Sequence, residues 1–494
     1  MDKPSAFEYD GMGSYRRPKI QEFELEVMSM VEIFSRIGIN FGFAPFEPIL
    51  QNIIAECLKE KGKDKFRKGT ILTPSVLVWL CLALTLRRDL NYNKALNWLV
   101  ASFRWKHLNF PVKIVKDGTI SHARIKLGVD IFRNIFNKLS LSLRKCSPDF
   151  HGYISVLFDG TSMTMPDTMS NLEKFGKHKS GRGYGAFPQM RVVALMIASA
   201  RCIIDVAYAP YAGKKTGERT LMFKILKRCH ETCYLFLFDA GFYSFKLAYH
   251  MFETQQKYIM KIAKSVNLKP VSGSQMPDGS YLSILKGKIL ESTDPKTGRN
   301  KWKKVEITVR VVKFHVPGFQ PVTLITNLMD PMITAKEIVI HYHKRWDIEI
   351  AYDEIKTHQC ATLKGHIPTI LRSKRSDLVE QELYCILISY NLVRSLIKEA
   401  ADKNDGDPLL ISFLDTLQII FECAVVPETG NAGKTRKYML KMISESKIDR
   451  PRRARQNERV VKVKMSNFKR KRSADKSKYV DFMKDMEILY QLAA

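Results

Sequence analysis

Two short apolar runs, each followed at once by an aspartate, constrain the fold of this chain more than any other feature. The run Tyr153–Phe158 precedes Asp159, and the run Tyr234–Phe238 precedes Asp239. Continuous apolar runs of this kind are typical of strands covered on both faces, as in sheets flanked by helices. The pattern therefore predicts an α/β fold, with both aspartates at strand ends.

The segments around these runs extend the prediction along the chain. Residues 24–140 have a helical pattern, whereas residues 266–326 carry Gly and Pro between short strands, which indicates an all-β insertion. Further strands are predicted at Arg191–Ser199, Cys202–Tyr208, Tyr258–Ile262, Val305–Phe314 and Pro321–Thr326, and further helices at Ser121–Leu141, Gly217–Cys229, from Ser244, and at Leu378–Lys398.

Each aspartate has two interpretations. Ligands gather at the carboxyl ends of strands in α/β sheets, so a carboxylate there is a candidate for catalysis or metal binding. Asp before Gly is also ordinary turn chemistry, and Asp159 is followed by Gly160. The two aspartate motifs alone leave this choice open.

A marked helix adds a third acidic group. Thr334 and Glu337 have the spacing of a capping box, and helical periodicity continues from there to about His358. Steps of three and four residues place one set of side chains on a single stripe. That stripe consists of Tyr342, Arg345, Glu349, Tyr352 and Lys356, and an adjacent stripe suited to core packing consists of Val339, Trp346 and Ile350. An acceptor for a metal beside donors for phosphate suits phosphodiester chemistry, although a charged stripe is also typical of a solvated helix face.

The net charge of the chain narrows the partner. Eighty Lys and Arg against fifty Asp and Glu leave +30, and +10 of this lies between Arg452 and Lys478. A chain this basic is expected to bind a polyanion, usually nucleic acid and less often an acidic membrane surface. The longest apolar run, Val76–Leu86, is about half the roughly twenty residues that span a bilayer, so a buried helix and no membrane insertion are predicted.

The spacing Tyr342-x2-Arg345-x3-Glu349-x6-Lys356 resembles the Y-R-E-K motif of one group of bacterial insertion-sequence transposases, the insertion sequence four family. Asp159-Gly160-Thr161 is similar to the first acidic motif of that family. Asp239-Ala240-Gly241 is similar to its second, where the family often has Arg at the place of Ala240. The resemblance covers roughly residues 70 to 400 and also includes Gly217-Glu218 and the segment Ser121-His122-Ala123-Arg124.

The resemblance implies a DDE transposase with an RNase H-like catalytic core. It divides the chain into a helical N-terminal DNA-binding region at 1–145, the first part of the core at 146–265, the β-strand insertion at 266–326, the second part of the core with the Glu349 helix at 327–400, and a C-terminal helical region with a basic tail at 401–494. The basic N-terminal helices fit a helix-turn-helix DNA reader or an ordinary amphipathic bundle equally well.

The same resemblance implies the chemistry. Asp159, Asp239 and Glu349 would be catalytic and would hold two Mg²⁺ ions, with Mn²⁺ as a possible substitute. The enzyme would hydrolyse the ends of a mobile element and join the freed 3′-hydroxyl to target DNA. The expected partner is double-stranded DNA, bound by a homodimer in the bacterial cytoplasm at the nucleoid.

Several residues are candidates for DNA binding. Tyr342, Arg345 and Lys356 would grip phosphates near the cut, by the resemblance. Trp302 in the β insertion would stack on a base, or is a packed Trp in a small sheet. Lys177 and Arg182 belong to a basic loop that either contacts phosphate or is simply solvated.

Two other functions compete with an active transposase. A domesticated, catalytically silent protein would bind DNA ends without cutting them, and an RNase H-type nuclease would cut DNA without regard to ends. The nine cysteines are scattered and favour a reduced compartment; the cluster of Cys229, His230 and Cys233 lacks the second ligand pair of a zinc site.

Overall fold

The structure is a computed structural model. It describes residues 46–66, 70, 72–104, 115–181, 183–263, 265–266, 268–295, 297, 299–317, 319–359, 370–423, 432–448, 455–456 and 480–490. The predicted Arg182 contact and all but two residues of the basic segment 452–478 lie outside these residues.

Helices form the N-terminal part, as predicted. Within the helix Pro74–Leu86, every residue from Ser75 to Leu86 is buried, in agreement with the buried helix expected there. Thr73 caps that helix by accepting a hydrogen bond from the Val76 amide at 3.3 Å, and Pro74 occupies the first turn. The helices are α1 (Glu47–Glu60), α2 (Pro74–Leu86), α3 (Tyr92–Arg104), α4 (Asp117–Leu127) and α5 (Val129–Leu143).

The helix predicted over Ser121–Leu141 is in fact two helices. Gly128 separates α4 from α5 with a φ of +81° and a ψ of 169°. This backbone region is open to Gly and strained for other residues, so the chain turns there instead of continuing the helix.

A ten-stranded mixed sheet forms the centre of the molecule and confirms the α/β prediction. The strands are β1 (Ile154–Thr164), β2 (Lys177–Ser180), β3 (Gly183–Ile197), β4 (Cys202–Pro210), β5 (Tyr234–Phe238), β6 (Lys257–Lys261), β7 (Tyr281–Thr293), β8 (Asn300–His315) and β9 (Val322–Thr326). Across the sheet, β4, β3, β1, β5 and β6 follow one another. Strand β5 runs parallel to both β1 and β6, whereas β3 runs antiparallel to both β1 and β4. Helices α6 (Met169–Phe175), α7 (Glu218–Leu226) and α8 (Phe245–Glu253) lie between them in the chain.

Strand β5 shows why its sequence is apolar throughout. Leu235 and Leu237 pack into the core on one face of the sheet, whereas Tyr234, Phe236 and Phe238 pack into the core on the other. All five side chains are buried. The aspartate that follows is therefore held at the end of a strand fixed on both faces.

Residues 266–326 contain the strands that were predicted there, and their described part contains no helix. Strand β9 pairs with β6 as well as with β8, and β7 pairs with β8. The three strands therefore continue the central sheet instead of forming a sheet of their own.

Buried Arg310 of β8 ties this part of the sheet to the helix that follows. Its guanidinium donates to the Ile333 carbonyl at 2.8 Å and pairs with Asp278 at 2.5 Å. Asp278 also accepts a hydrogen bond from the Ala335 amide, at the first residue of the next helix. The start of that helix is thus held by Arg310 and Asp278 together.

The helix predicted from Thr334 to about His358 changes its pitch twice. Its parts are α9 (Ala335–Tyr342), a 3₁₀ turn (His343–Trp346), α10 (Asp347–Asp353) and a π-helical turn (Glu354–Gln359). The predicted capping box of Thr334 and Glu337 is present. Trp346, predicted to lie in the core, is 52% exposed. A 3₁₀ residue turns about 120° instead of about 100°, which moves Trp346 out of the apolar stripe.

The remaining elements cover the sheet and close the chain. Helix α11 is buried along most of its length and packs against α2 and α5, so it joins the N-terminal helices to the centre. The elements are α11 (Ser376–Asp402), α12 (Phe413–Cys423), α13 (Ala432–Glu445), β10 (Arg455–Gln456), β11 (Val480–Asp481), α14 (Phe482–Asp485) and β12 (Glu487–Ile488). No helix in the described ranges has the length and apolar character needed to cross a bilayer.

Candidate active site

Asp159 and Asp239 occupy matching positions on neighbouring parallel strands. Leu157 of β1 pairs with Leu237 of β5, and each aspartate follows two residues later. Asp239 lies just past the end of β5, as predicted, but Asp159 lies within β1, which continues to Thr164 because its pairing with β3 extends beyond its pairing with β5. The Asp159 carboxylate accepts a hydrogen bond from the Gly160 amide at 2.8 Å, and the Asp239 carboxylate accepts one from the Gly241 amide at 3.3 Å. The fold therefore brings the two predicted acidic groups side by side at one edge of the sheet.

Arg345 draws the third acidic group to the same place. Its Nη2 lies 3.1 Å from Glu349 Oε1, and its Nε lies 3.8 Å from Asp239 Oδ1. The Arg345 side chain is almost fully buried, whereas those of Asp239 and Glu349 are 39% and 44% exposed. Burial lowers the pKa of Arg345, but the charges of Tyr342, Asp239 and Glu349 outweigh burial and raise it overall. A permanent cation thus holds two acids that face solvent.

Asp159 is in a different environment from the other two acids. Burial raises its pKa to about 6, and the nearby Glu349 and Glu218 carboxylates add to this, against the Gly160 amide and Arg345. Among the described residues, no Lys, Arg or His forms a salt bridge with it. A partly buried carboxylate without a salt-bridge partner is a favourable place for a bound metal ion.

The other three residues of the predicted stripe contact β1 and β5 next to the two aspartates. The Tyr342 hydroxyl donates to the Phe238 carbonyl at 3.0 Å, and the Tyr352 hydroxyl donates to the Asp159 carbonyl at 2.8 Å. The Lys356 ammonium donates to the Thr161 hydroxyl. In this structure these side chains therefore attach the Glu349 helix to the residues next to each aspartate.

A buried set of charges holds the same helix from behind. Arg201 in the β3–β4 turn pairs with Asp347 at 2.9 Å and with Glu354 at 3.3 Å. Glu354 also pairs with Arg394 of α11 at 3.3 Å and accepts a hydrogen bond from the Tyr390 hydroxyl at 2.9 Å. Sequence reasoning missed these residues; the one signal was a charged residue, Arg394, within an apolar stretch of α11.

Two predicted DNA contacts lie elsewhere in the sheet. Trp302 of β8 is 55% exposed and pairs across the hairpin with Leu290, which is 50% exposed. Strands β9, β6 and β5 separate β8 from β1 in the sheet order. Lys177 lies on β2, beyond β3, and its ammonium pairs with Asp167 at 2.5 Å. Neither residue belongs to the cluster around Arg345.

The donor set suits a hard divalent cation in its chemistry. Asp159, Asp239 and Glu349 offer carboxylate oxygens, which Mg²⁺ and Mn²⁺ prefer. In the described part of the chain, no three His, Cys, Asp or Glu side chains are close enough together to hold a metal ion. The Arg345 guanidinium lies against the Asp239 and Glu349 carboxylates. The Cys229 thiol, considered above for zinc, donates to Glu231 at 3.2 Å.

The sequence of this chain matches two protein families and is similar to a transposase of Escherichia coli. Residues 151–392 match the family described as Transposase DDE domain, and residues 47–137 match the family described as Insertion element 4 transposase N-terminal. The chain is 27% identical over 421 residues to transposase InsG for insertion sequence element IS4 of Escherichia coli strain K12, an alignment that covers 83% of this chain and 89% of that protein. A piggyBac transposase synaptic complex with hairpin DNA aligns over 82% of this chain and 86% of that chain with 10% identity and a TM-score of 0.42.

Proposed function

Because the chain belongs to the insertion sequence four family of DDE transposases, we propose that this DNA transposase moves its element by a cut-and-paste route. It would hydrolyse the element ends and then transfer each freed 3′-hydroxyl to target DNA. The observation that carries this proposal is that Asp159 and Asp239 follow paired residues of β1 and β5, while Arg345 pairs with both Asp239 and Glu349.

The strand order supports an RNase H-like core. The order β4-β3-β1-β5-β6, with three strands joined antiparallel and β5 and β6 running parallel to β1, is the arrangement expected of that fold. It puts β1 and β5 next to each other, which brings Asp159 beside Asp239. In this proposal, strands β7–β9 are the insertion between the second aspartate and Glu349.

Asp159, Asp239 and Glu349 would hold two Mg²⁺ ions, with Mn²⁺ as a substitute. When bound, such ions activate the attacking water or hydroxyl and stabilise the leaving oxygen in an in-line displacement. The chain's own residues would do the rest. The Arg345 guanidinium would bind the scissile phosphate in a bidentate manner. Lys356 would add a second positive charge on the same side, and Tyr342 would keep the helix in register with β5.

DNA is the partner of this protein, and we propose that a homodimer binds a pair of element ends together with the target duplex. The charge of +30 provides salt-dependent attraction to the backbone of both duplexes. We place this activity in the bacterial cytoplasm, at the nucleoid, where the substrate is.

The proposal is tested with a supercoiled plasmid that carries the inverted ends of the element. We expect Mg²⁺-dependent excision that requires both ends. Asp159→Ala, Asp239→Ala and Glu349→Ala should abolish cleavage while binding to the ends persists, because each removes an oxygen ligand and none removes a basic residue. Binding without cleavage by the wild type would point to a silent end-binding protein, and nicking that ignores the ends would point to a nuclease.

A further inference from the structure

Two consecutive residues at the start of α7, Glu218 and Arg219, each contact a glycine that follows one of the two aspartates. Gly217-Glu218 is part of the family resemblance, but the sequence predicts no catalytic role for Glu218 or Arg219. They lie on the strand-end side of the sheet, where Gly217 begins the helix. The structure assigns to this pair a positioning role for both acidic groups, a role that rests on the proposed function.

The Glu218 side chain lies against Gly160, the residue of β1 that follows Asp159. The two residues are so close that a Cβ atom added to Gly160 would lie 2.5 Å from Glu218 Cδ and 2.6 Å from Cγ. Gly160 is the residue whose amide donates to the Asp159 carboxylate. Gly160 lies within β1, paired with Val193 of β3, and the Glu218 side chain covers this residue beside the amide that orients Asp159.

Arg219 acts on the Asp239 loop through Gly241. Its Nε donates to the Gly241 carbonyl at 2.8 Å, and the Gly241 amide donates to the Asp239 carboxylate. The relationship matches the first one: the acid accepts from a following glycine, and α7 holds that glycine. Because Glu218 and Arg219 are adjacent in the chain, a single helix end fixes the two glycines relative to each other.

Glu218 is itself held from the neighbouring strand. Arg191 of β3 lies with its Nε 4.0 Å from Glu218 Oε1, and its Nη1 donates to the Thr216 carbonyl at 3.3 Å. The Arg191 guanidinium also stacks over the Tyr211 ring, 4.5 Å from its centre. These contacts hold the residues at the start of α7, so that the helix start can support both Gly160 and Gly241.

The test for Arg219 separates positioning from DNA binding. We expect Arg219→Ala to slow Mg²⁺-dependent cleavage at saturating DNA about tenfold or more, since small misplacements of reacting groups are costly, with affinity for the element ends unchanged within about twofold. Arg219→Lys should recover part of the rate because Lys can still donate to the Gly241 carbonyl. Lys224→Ala is the matched control, an exposed basic residue on the same helix, and should match the wild type. A loss of end affinity with an unchanged saturated rate would overturn the proposal.

The test for Glu218 is a double-mutant cycle with Gly160. Gly160→Ala must push the Glu218 side chain away, so Gly160→Ala, Glu218→Ala and the double variant should all slow cleavage to the same extent. If Gly160 matters only for space, Glu218→Ala would cleave normally and the double variant would recover the rate of the wild type. That outcome would overturn the role of Glu218.

Hydrogen exchange measured by mass spectrometry gives a readout that does not need cleavage. Arg219→Ala should speed exchange in the segment 239–243, and Glu218→Ala should speed it in the segment 158–162, while the thermal midpoint stays within about 2 °C of the wild type. Unchanged exchange in both segments would contradict the positioning role. If the wild type failed to cleave, the proposed function would be refuted. The exchange measurement would still decide whether α7 holds the segments 158–162 and 239–243.

Discussion

The Arg345 guanidinium lies 3.1 Å from the Glu349 carboxylate, one helical turn away, and 3.8 Å from that of Asp239, the residue just past the end of β5. The same buried cation thus holds a carboxylate of the helix and a carboxylate that follows a strand. The pairing explains how a polar Glu, itself 44% exposed, is kept beside Asp239 before any ligand arrives.

Replacing Arg345 tests this pairing. Arg345→Ala leaves Glu349 and Asp239 without their shared cation, so we expect cleavage to fall by about a hundredfold or more. Arg345→Lys keeps the charge but not the fork of donors and should recover only part of the rate. Cleavage rates at saturating DNA check this, with Arg375→Ala, an exposed residue paired with Asp377, as the control. Normal cleavage by Arg345→Ala would contradict the assignment.

Asp159→Asn should stabilise the metal-free protein while it abolishes cleavage. The native pKa of Asp159, about 6, is above its ordinary value of 3.8, so the native state binds this proton more tightly than the unfolded state does. The carboxylate therefore costs nothing below pH 4, and its cost is complete above pH 6. Discounted for partial exposure, that cost is about 1–2 kcal/mol.

Thermal melts of both proteins between pH 4 and pH 8, in the presence of a chelator, measure the effect. The stability gain of Asp159→Asn should be absent at pH 4, grow as the pH rises and level off above pH 6. A gain that shrinks with rising pH would be the wrong sign and would contradict this account.

Glu354→Ala should strongly destabilise the protein. The substitution removes the carboxylate that pairs with buried Arg394 and one of the two carboxylates that pair with buried Arg201, which keeps Asp347. Breaking a buried ion pair typically costs about 3–5 kcal/mol. Chemical denaturation measures the free energy of unfolding. Glu306→Ala removes an exposed pair with Lys286 and should change it by less than about 1 kcal/mol. Equal effects of the two substitutions would show that the buried network adds nothing.

Trp302→Ala should affect DNA complexes and leave the fold intact. The side chain is 55% exposed, so its removal should change the thermal midpoint little. If the ring stacks on a base, the substitution should weaken the complex with cleaved ends by about 1–3 kcal/mol. Leu414→Ala, which removes another exposed apolar side chain, serves as the control. Unchanged affinity of Trp302→Ala for the ends would refute stacking.

Gly128→Ala should cost stability through the backbone alone. A Cβ at this position would meet no atom within 4 Å, but the φ of +81° with ψ of 169° is strained for any residue other than Gly. We expect a loss of about 1–3 kcal/mol in the free energy of unfolding. Gly118→Ala, at a helical position that also has open space, should be neutral or stabilising. Equal behaviour of the two variants would remove strain as the reason for the helix break.

The sequence by itself determined two central strands and the set of side chains on one helix face. The apolar runs predicted β1 and β5, because a strand covered on both faces needs apolar side chains at every position. The three-and-four spacing predicted that Tyr342, Arg345, Glu349, Tyr352 and Lys356 share a face, because neighbours on a helix are set by local geometry. In the structure, these side chains all lie on the face of the helix that meets β1, β5 and Asp239.

Only the tertiary structure decided which residues support that face. The 3₁₀ turn that exposes Trp346, the buried partners Arg201 and Arg394 of Glu354, and the grip of α7 on Gly160 and Gly241 are not visible in the sequence. Each depends on contacts between elements that are far apart in the chain, and the energy of such contacts exceeds local preference. Local periodicity can place a side chain on a face, but only packing decides what that face meets.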